Sequence, residues 1–206
     1  MANAAKLINV ITDGEKVNII NFNYTNPFIV SSSDAARSMI NSNMVTQVSN
    51  VHGNLADDNI IFGVDLTEDL PLDAHIFAKT HRKMLQDSSS NSLPKGVNRI
   101  KFYGHSLGKA DYSYFQSIFD HYNLYGDNLD LLHYRSGDKP VVLRFYFTVY
   151  DESKEAEIRR SATDSVYKLI VAYGDTLDNK DKGKNLLHKL LLEGRVQIEF
   201  LCNIET

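Results

Sequence analysis

Cysteine is almost absent from this sequence of 206 residues, which contains Cys202 alone. A single cysteine excludes an internal disulfide and leaves no partners for a zinc site, so we expect a reducing compartment and a small, buried Cys202 side chain. Residues Met1 to Val10 lack the basic start and apolar stretch of a signal peptide, and no apolar run is long enough to cross a membrane. These absences predict a cytoplasmic protein without a membrane partner.

An excess of positive charge is also missing. The chain has 22 lysines and arginines against 26 acidic residues, a formal charge of −4, and its basic residues are spread out. Binding to a nucleic-acid backbone depends on clustered positive charge, so nucleic acid is not expected as a partner. The histidines show no metal-ligand spacing, and we expect no metal site. The length and the hydrophobic content of 43% predict a single folded domain over residues 1–206.

The apolar pattern predicts strands that alternate with helices. This order is typical of an α/β fold with a mostly parallel, Rossmann-like sheet and helices on both faces. A strand-helix appendage is expected after Tyr134. The predicted strands are 17–24, 45–51, 60–64, 98–103, 141–150 and 196–200, and the predicted helices are 75–86, 111–125, 154–173 and 185–193.

Periodicity and the position of glycine predict further local features of the fold. The regular alternation along residues 141–150 favours an antiparallel or edge strand. Gly174 is expected to end its helix, and residues 175–184 to form a charged loop. In the helix at 75–86, the side chains expected to face inward are Ile76, Phe77, Met84 and Leu85.

Polar motifs follow two of the early strands, where parallel sheets bind their ligands. Asn21-Phe22-Asn23-Tyr24-Thr25 offers amides that can hold a ribose hydroxyl or a water, or that merely stitch a turn together. In His52-Gly53, the histidine can serve as a general base, and the glycine would let a ligand approach the backbone. A hydrogen-bonded structural histidine is the commoner case.

A third motif, Gly104-His105-Ser106-Leu107-Gly108, lies between a predicted strand and a predicted helix. It matches the G-x-S-x-G elbow of serine hydrolases, in which Ser106 would be the nucleophile and His188 the base, with Asp175, Asp178 or Asp181. The same turn could instead bind a phosphate or ribose through backbone amides. It could also be a turn capped by Ser106 or Asp111.

Taken in order, the segments "NFNYT", "NVHG", "IIFGVD" and "FYGHSLGKADYSYF" resemble the AbiH family of bacterial phage abortive-infection proteins. The resemblance covers roughly Val17 to Tyr122. The AbiH pattern is in turn similar to the sirtuin-like NAD-binding fold of bacterial antiphage systems.

The resemblance implies that the protein has a nucleotide pocket, that NAD binds there, and that the protein acts as an NAD glycohydrolase. By that resemblance Asn23 would place the water or the nicotinamide ribose, and His52 would be the base. It also implies that the cofactor-binding residues are Asn21, Thr25, Gly53, Gly63, Gly104, His105, Ser106, Leu107 and Asp111.

AbiH-like proteins begin with a strand and a "GNGFD"-type turn, whereas Asp13-Gly14 is only a turn. We therefore expect this chain to be the carboxyl-terminal part of an AbiH-like protein. An exposed sheet edge would then favour self-association. Two alternatives stay open: a serine hydrolase that uses Ser106, and a non-enzymatic domain that senses or binds a phage component.

Overall fold

A computed structural model describes residues 7, 9–25, 44–63, 71–85, 92–126 and 140–202. The contacts within the chain fall into two units, Met1–Pro94 with Glu205–Thr206 and Lys95–Ile204. Each unit contains a parallel sheet together with helices. This combination is an α/β fold with parallel strands, as the sequence predicts.

The first unit is built on two parallel strands, β1 (Val17–Asn21) and β2 (Val45–Asn50). Their register pairs Asn21 with Asn50, so the two carboxyl ends lie side by side. A 3₁₀ turn at Leu55–Asp57 follows β2. A second one, Leu72–Phe77, precedes the short helix α1 (Lys79–Met84).

The strand predicted at 60–64 is wrong over the described residues 60–63, which form no regular structure. Val64 lies outside the described residues. Ile61 is 1% exposed, whereas its neighbour Phe62 is 60% exposed. The Ile61 amide donates to the His52 carbonyl at 2.8 Å. An apolar run can thus arise from one buried anchor followed by an exposed aromatic ring, without a ladder of strand hydrogen bonds.

The inward face predicted for the helix at 75–86 is also wrong. A 3₁₀ turn and α1 replace the single helix, and Gln86 lies outside the described residues. Ile76, Phe77, Met84 and Leu85 are exposed, whereas Ala78 is buried. A 3₁₀ segment turns every three residues, so the change of helix type at residues 77–79 breaks the α-helical stripe.

The second unit has a three-stranded parallel sheet in the order β3 (Arg99–Tyr103), β4 (Val142–Val149), β5 (Val196–Cys202). Helix α2 (Tyr112–His121) lies between β3 and β4 in the chain and falls within the predicted helix 111–125. Helices α3 (Glu155–Thr176) and α4 (Lys180–Leu192) lie between β4 and β5 in the chain.

Aromatic rings form the core of this unit. Phe102 on β3 stacks on Phe145 on β4, with ring centroids 4.5 Å apart. Phe115 and Phe119 of α2 meet the Phe102 ring edge-on, and Phe119 also contacts Tyr173 of α3. Helices α2 and α3 therefore share a core with the same face of the sheet.

The prediction of an antiparallel or edge position for residues 141–150 is wrong, because β4 is the central strand and parallel to both neighbours. Leu143 and Phe145 point to the face with the aromatic core, and Arg144 and Thr148 point to the other face. The alternation along β4 reflects the different surroundings of the two faces of the sheet. It does not indicate whether the strand is parallel or antiparallel to its neighbours.

Gly174 does not end α3, which continues to Thr176. A Cβ on Gly174 would come 2.5 Å from the Gly183 carbonyl oxygen, and one on Gly183 would come 2.1 Å from that of Gly174. Both glycines are needed for the close crossing of α3 and α4. The charged loop predicted at 175–184 is correspondingly short, because α4 already begins at Lys180.

Arg195 joins three parts of the second unit from a buried position, with 3% of the residue exposed. Its Nε donates to the Val141 carbonyl at 2.8 Å, and its Nη2 donates to the Leu124 carbonyl at 2.7 Å. Its Nη1 pairs with Glu193 Oε2 at 2.8 Å. One guanidinium thus holds the segment after α2 and the starts of β4 and β5 together.

We expect Arg195→Ala to lower the free energy of unfolding by about 3 kcal/mol, because it removes the donor to the Val141 and Leu124 carbonyls and one of the two cations paired with Glu193. Urea denaturation followed by circular dichroism measures the change. Arg160→Ala, an exposed position on α3, is the matched control. Equal small losses in both variants would show that the buried guanidinium is dispensable.

Candidate functional site

The Asn21 side chain ties the ends of β1 and β2 together. It is 6% exposed. Its Nδ2 donates to the Thr25 carbonyl and to Asn50 Oδ1, both at 2.9 Å. Its Oδ1 accepts the Asn23 amide at 3.1 Å. Both donors of the amide are therefore used inside the protein, and Asn21 shapes this edge of the sheet.

Asn23 and Thr25 lie on the bend that Asn21 fixes, and both are exposed. Between them, the Tyr24 carbonyl accepts the Leu55 amide at 2.9 Å. The bend after β1 is thereby bonded to the segment after β2. These contacts hold the exposed amide and hydroxyl at the carboxyl edge of the parallel pair.

His52 is buried at the same edge, with 4% of its surface exposed. Phe22 meets its ring edge-on at a centroid distance of 5.8 Å, and Tyr24 lies at 6.2 Å. Tyr24 in turn packs on the exposed Phe62 at 5.1 Å. The predicted base thus belongs to an aromatic cluster, which we call the His52 cluster: Phe22, Tyr24, His52 and Phe62.

Protein contacts explain two predicted site glycines of the first unit, Gly53 and Gly63. Gly53 has a φ of +75°, and a Cβ there would come 2.0 Å from the Asn59 carbonyl oxygen. A Cβ on Gly63 would come 2.4 Å from the Phe77 carbonyl oxygen. Both positions need glycine because another part of the backbone passes closely. A role for either glycine in cofactor binding stays a prediction.

Sequence reasoning missed three polar residues of this edge: Asn50, Asn54 and Lys83. Asn54 is buried and caps the 3₁₀ turn, accepting the Ala56 amide at 2.9 Å. Lys83 donates from Nζ to the Asn50 carbonyl at 3.1 Å. Asn50 and Asn54 stand directly before and after Val51-His52-Gly53, and this position next to the motif is a sequence signal for them. Lys83 lies on helix α1, 33 residues after Asn50, and no local sequence pattern marks it as part of this edge.

In the second unit, the turn after β3 is held by the His105 ring. Nδ1 accepts the Leu107 amide at 2.8 Å, and Nε2 lies 3.2 Å from Asp111 Oδ2. This pattern places the proton of the neutral ring on Nε2. Burial lowers the pKa of His105, and the Asp111 carboxylate partly opposes that shift.

Two residues of this turn have left-handed backbones. Gly104 has a φ of +66°, and Leu107, which is buried, has a φ of +54°. A residue other than glycine rarely adopts the left-handed backbone region, so the contacts around Leu107 must hold its backbone there. The bond from the Leu107 amide to His105 is one such contact. His105, Leu107 and Asp111 thus have structural roles, and their contact with a cofactor stays a prediction.

Ser106 is exposed at the top of this turn. Both nitrogens of the neighbouring His105 ring are bonded to other groups. Among the described residues, no histidine is hydrogen-bonded to Ser106 Oγ. His188 is exposed on α4. The arrangement gives no support to a serine hydrolase.

Asn23 and His52 lie in one unit and Gly104 to Asp111 in the other. A common cleft for the three motifs therefore stays a prediction.

One cleft in the second unit, of about 230 Å³, is lined by Tyr167, Val171, Asp175, Gly183, Lys184 and Leu187, and contains no predicted site residue. Within the described parts of the chain, no helix could cross a membrane, and no three side chains are grouped as metal ligands.

Comparison with known proteins gives one match. The sequence model of the family described as "Bacteriophage abortive infection AbiH" matches residues 2–128. This range contains every predicted site residue from Asn21 to Asp111 and ends before β4. No curated protein and no solved structure matches the chain.

We expect nitrogen NMR at pH 7 to show His105 as the neutral tautomer protonated on Nε2, with a pKa below its ordinary value of 6.5. Because the unfolded chain then takes up the proton first, the free energy of unfolding should fall as the pH is lowered from about 6.5. Asp111→Asn removes the opposing carboxylate and should lower the pKa further. A pKa that rises in Asp111→Asn would contradict this account of the turn.

Ser106 should not react with a fluorophosphonate probe, because no histidine activates its hydroxyl in the described structure. Mass spectrometry of the treated protein is the measurement, with Ser106→Ala as the matched control. Labelling of the wild-type protein that disappears in Ser106→Ala would instead establish a nucleophilic serine.

Proposed function

The chain belongs to the bacteriophage abortive infection AbiH family, and on that premise we propose that it binds a nucleotide of the NAD type during phage defence. The proposed site is the carboxyl edge of β1 and β2. The NAD identity rests on the sirtuin-like resemblance of the motifs, and the position rests on the geometry of the first unit.

One observation carries the proposal: internal hydrogen bonds hold the strand-end bend, yet two of its polar side chains are exposed. Asn21 and the bond from Leu55 to Tyr24 fix the bend, while the Asn23 and Thr25 side chains remain exposed. Ligands of parallel α/β sheets bind at this edge. An exposed amide can donate to and accept from ribose hydroxyls, which suits Asn23 to the role that the resemblance implies.

The His52 cluster supplies an apolar surface at the same edge. Phe62 is exposed and packs on Tyr24, so a planar nicotinamide or adenine ring has an aromatic partner for stacking. Ligand sites commonly combine such apolar walls with a few placed polar groups.

We further propose that the bound NAD is cleaved at its N-glycosidic bond. Water would attack C1′ of the nicotinamide ribose, the bond from C1′ to the nicotinamide nitrogen would break, and neutral nicotinamide would leave. The proton released by the water would pass to the His52 imidazole. Asn23 would hold the water or the ribose in place.

The burial of His52 favours a second candidate, in which the nucleotide is bound but not cleaved. With 4% of its surface exposed, the His52 ring reaches a substrate only after the groups that cover it move, and Phe22 and Tyr24 are two of its aromatic neighbours. A domain that senses a nucleotide needs no such movement. The two candidates share the binding site and differ in whether nicotinamide is released.

Isothermal titration with ADP-ribose and NAD tests the binding. We expect the wild-type protein to bind both, and Asn23→Ala to weaken binding about 2- to 10-fold, the usual worth of one hydrogen bond. Asn18→Ala, an exposed position on β1, is the matched control and should leave binding unchanged. Absence of any heat with the wild-type protein would remove the proposal.

Chromatography of NAD incubated with the protein tests cleavage. If His52 is the base, His52→Gln should slow nicotinamide release about 100-fold or more while ADP-ribose still binds. Binding without any release by the wild-type protein would leave the sensing role and remove the enzymatic one.

A further inference from the structure

We propose that Lys83 is the anion-binding group of this edge and contacts a phosphate of the bound nucleotide. The identity of the ligand rests on the proposed function. The anion contact itself rests on the position and charge of Lys83.

Lys83 reaches the edge from helix α1. Its Nζ donates to the carbonyl of Asn50, the last residue of β2, at 3.1 Å. Asn50 also accepts the Asn21 side chain through Oδ1. The ammonium group is therefore hydrogen-bonded to the same Asn50 that joins the two strand ends, two residues before His52.

The charge of Lys83 has no counter-ion in the described structure. No described carboxylate lies within 4.0 Å of its Nζ, and the Asn50 carbonyl is its single hydrogen-bond acceptor among the described residues. An ammonium group has three donors, so two remain for a ligand. Partial burial lowers the pKa of Lys83, as expected of a cation that has lost water without gaining an anion.

A half-buried lysine with no opposite charge among the described residues is unfavourable, since one hydrogen bond to a carbonyl compensates only part of the desolvation of the charge. Groups held in this condition are concentrated at functional sites. A phosphate restores the balance, because lysine binds phosphates as a compact point charge with donors that rotate to meet the oxygens. The amide of Asn23 and the ammonium of Lys83 would then recognise the ribose and the phosphates of the same ligand.

A purely structural role would confine Lys83 to its bond with the Asn50 carbonyl. That role predicts a loss of stability on substitution with no preference among ligands. The phosphate role predicts that only ligands with phosphates lose affinity. The two roles are separated by comparing ADP-ribose, inorganic pyrophosphate and adenosine, which carries the ring and ribose without a phosphate.

Titration of these three ligands into the full chain is the test. We expect Lys83→Met to weaken ADP-ribose and pyrophosphate about tenfold or more, as for loss of a charged hydrogen bond, and to leave adenosine unchanged. Lys83→Arg should stay close to the wild-type protein. Lys16→Met is the matched control: Lys16 is exposed and precedes β1, at the opposite end of the strand, and its loss should change nothing.

Lysine acetylation traced by mass spectrometry covers the case in which Lys83→Met does not fold. In the wild-type protein, pyrophosphate should protect Lys83 and leave Lys16 as reactive as before. Equal loss of adenosine and ADP-ribose affinity in Lys83→Met, or no protection of Lys83, would overturn the phosphate contact while the proposed function stands. Lys83-dependent binding of pyrophosphate without binding of NAD or ADP-ribose would support the anion site and remove the proposed function.

Discussion

The side-chain amide of Asn21 is the interaction on which the candidate site depends. Parallel pairing brings Asn21 and Asn50 side by side, where both strands leave the sheet. The strand ladder stops there, so the backbone beyond it needs other partners. The Asn21 amide supplies them, bonding the Asn23 amide, the Thr25 carbonyl and Asn50. The two loops therefore leave the sheet in one fixed arrangement.

Residues at this edge divide into those that build it and those that are left available. Asn21 and Asn54 use their side-chain amides in hydrogen bonds within the protein, to backbone groups and to the side chains of Asn50 and Asp57. Gly53 is required because the Asn59 backbone passes close to it. Asn23 and Lys83 keep donors unused in the described structure. The turn after β3 shows the same division: the His105 ring stabilises the turn through hydrogen bonds, and Ser106 is exposed. In each motif, some residues stabilise the turn, and another side chain is left exposed to solvent.

Local sequence patterns predicted most elements, including β1, β2 and the aromatic helix α2. They failed where tertiary contacts decide: β4 is central despite its alternation, Gly174 serves a helix crossing, and Ile61 is an isolated anchor. The site shows the same division. Asn23 and His52 stand in short strand-end motifs and could be singled out. Lys83 comes from α1, and only the folded chain brings it to Asn50.

Mapping of backbone amide shifts during a titration with ADP-ribose tests the central claim most directly, because it locates the ligand without assuming catalysis. We expect the largest changes at the amides of Asn23 and Leu55, whose hydrogen bonds hold the bend, and at His52 and its neighbours. Changes confined to α3 and α4, with the amides after β1 and β2 unmoved, would contradict it.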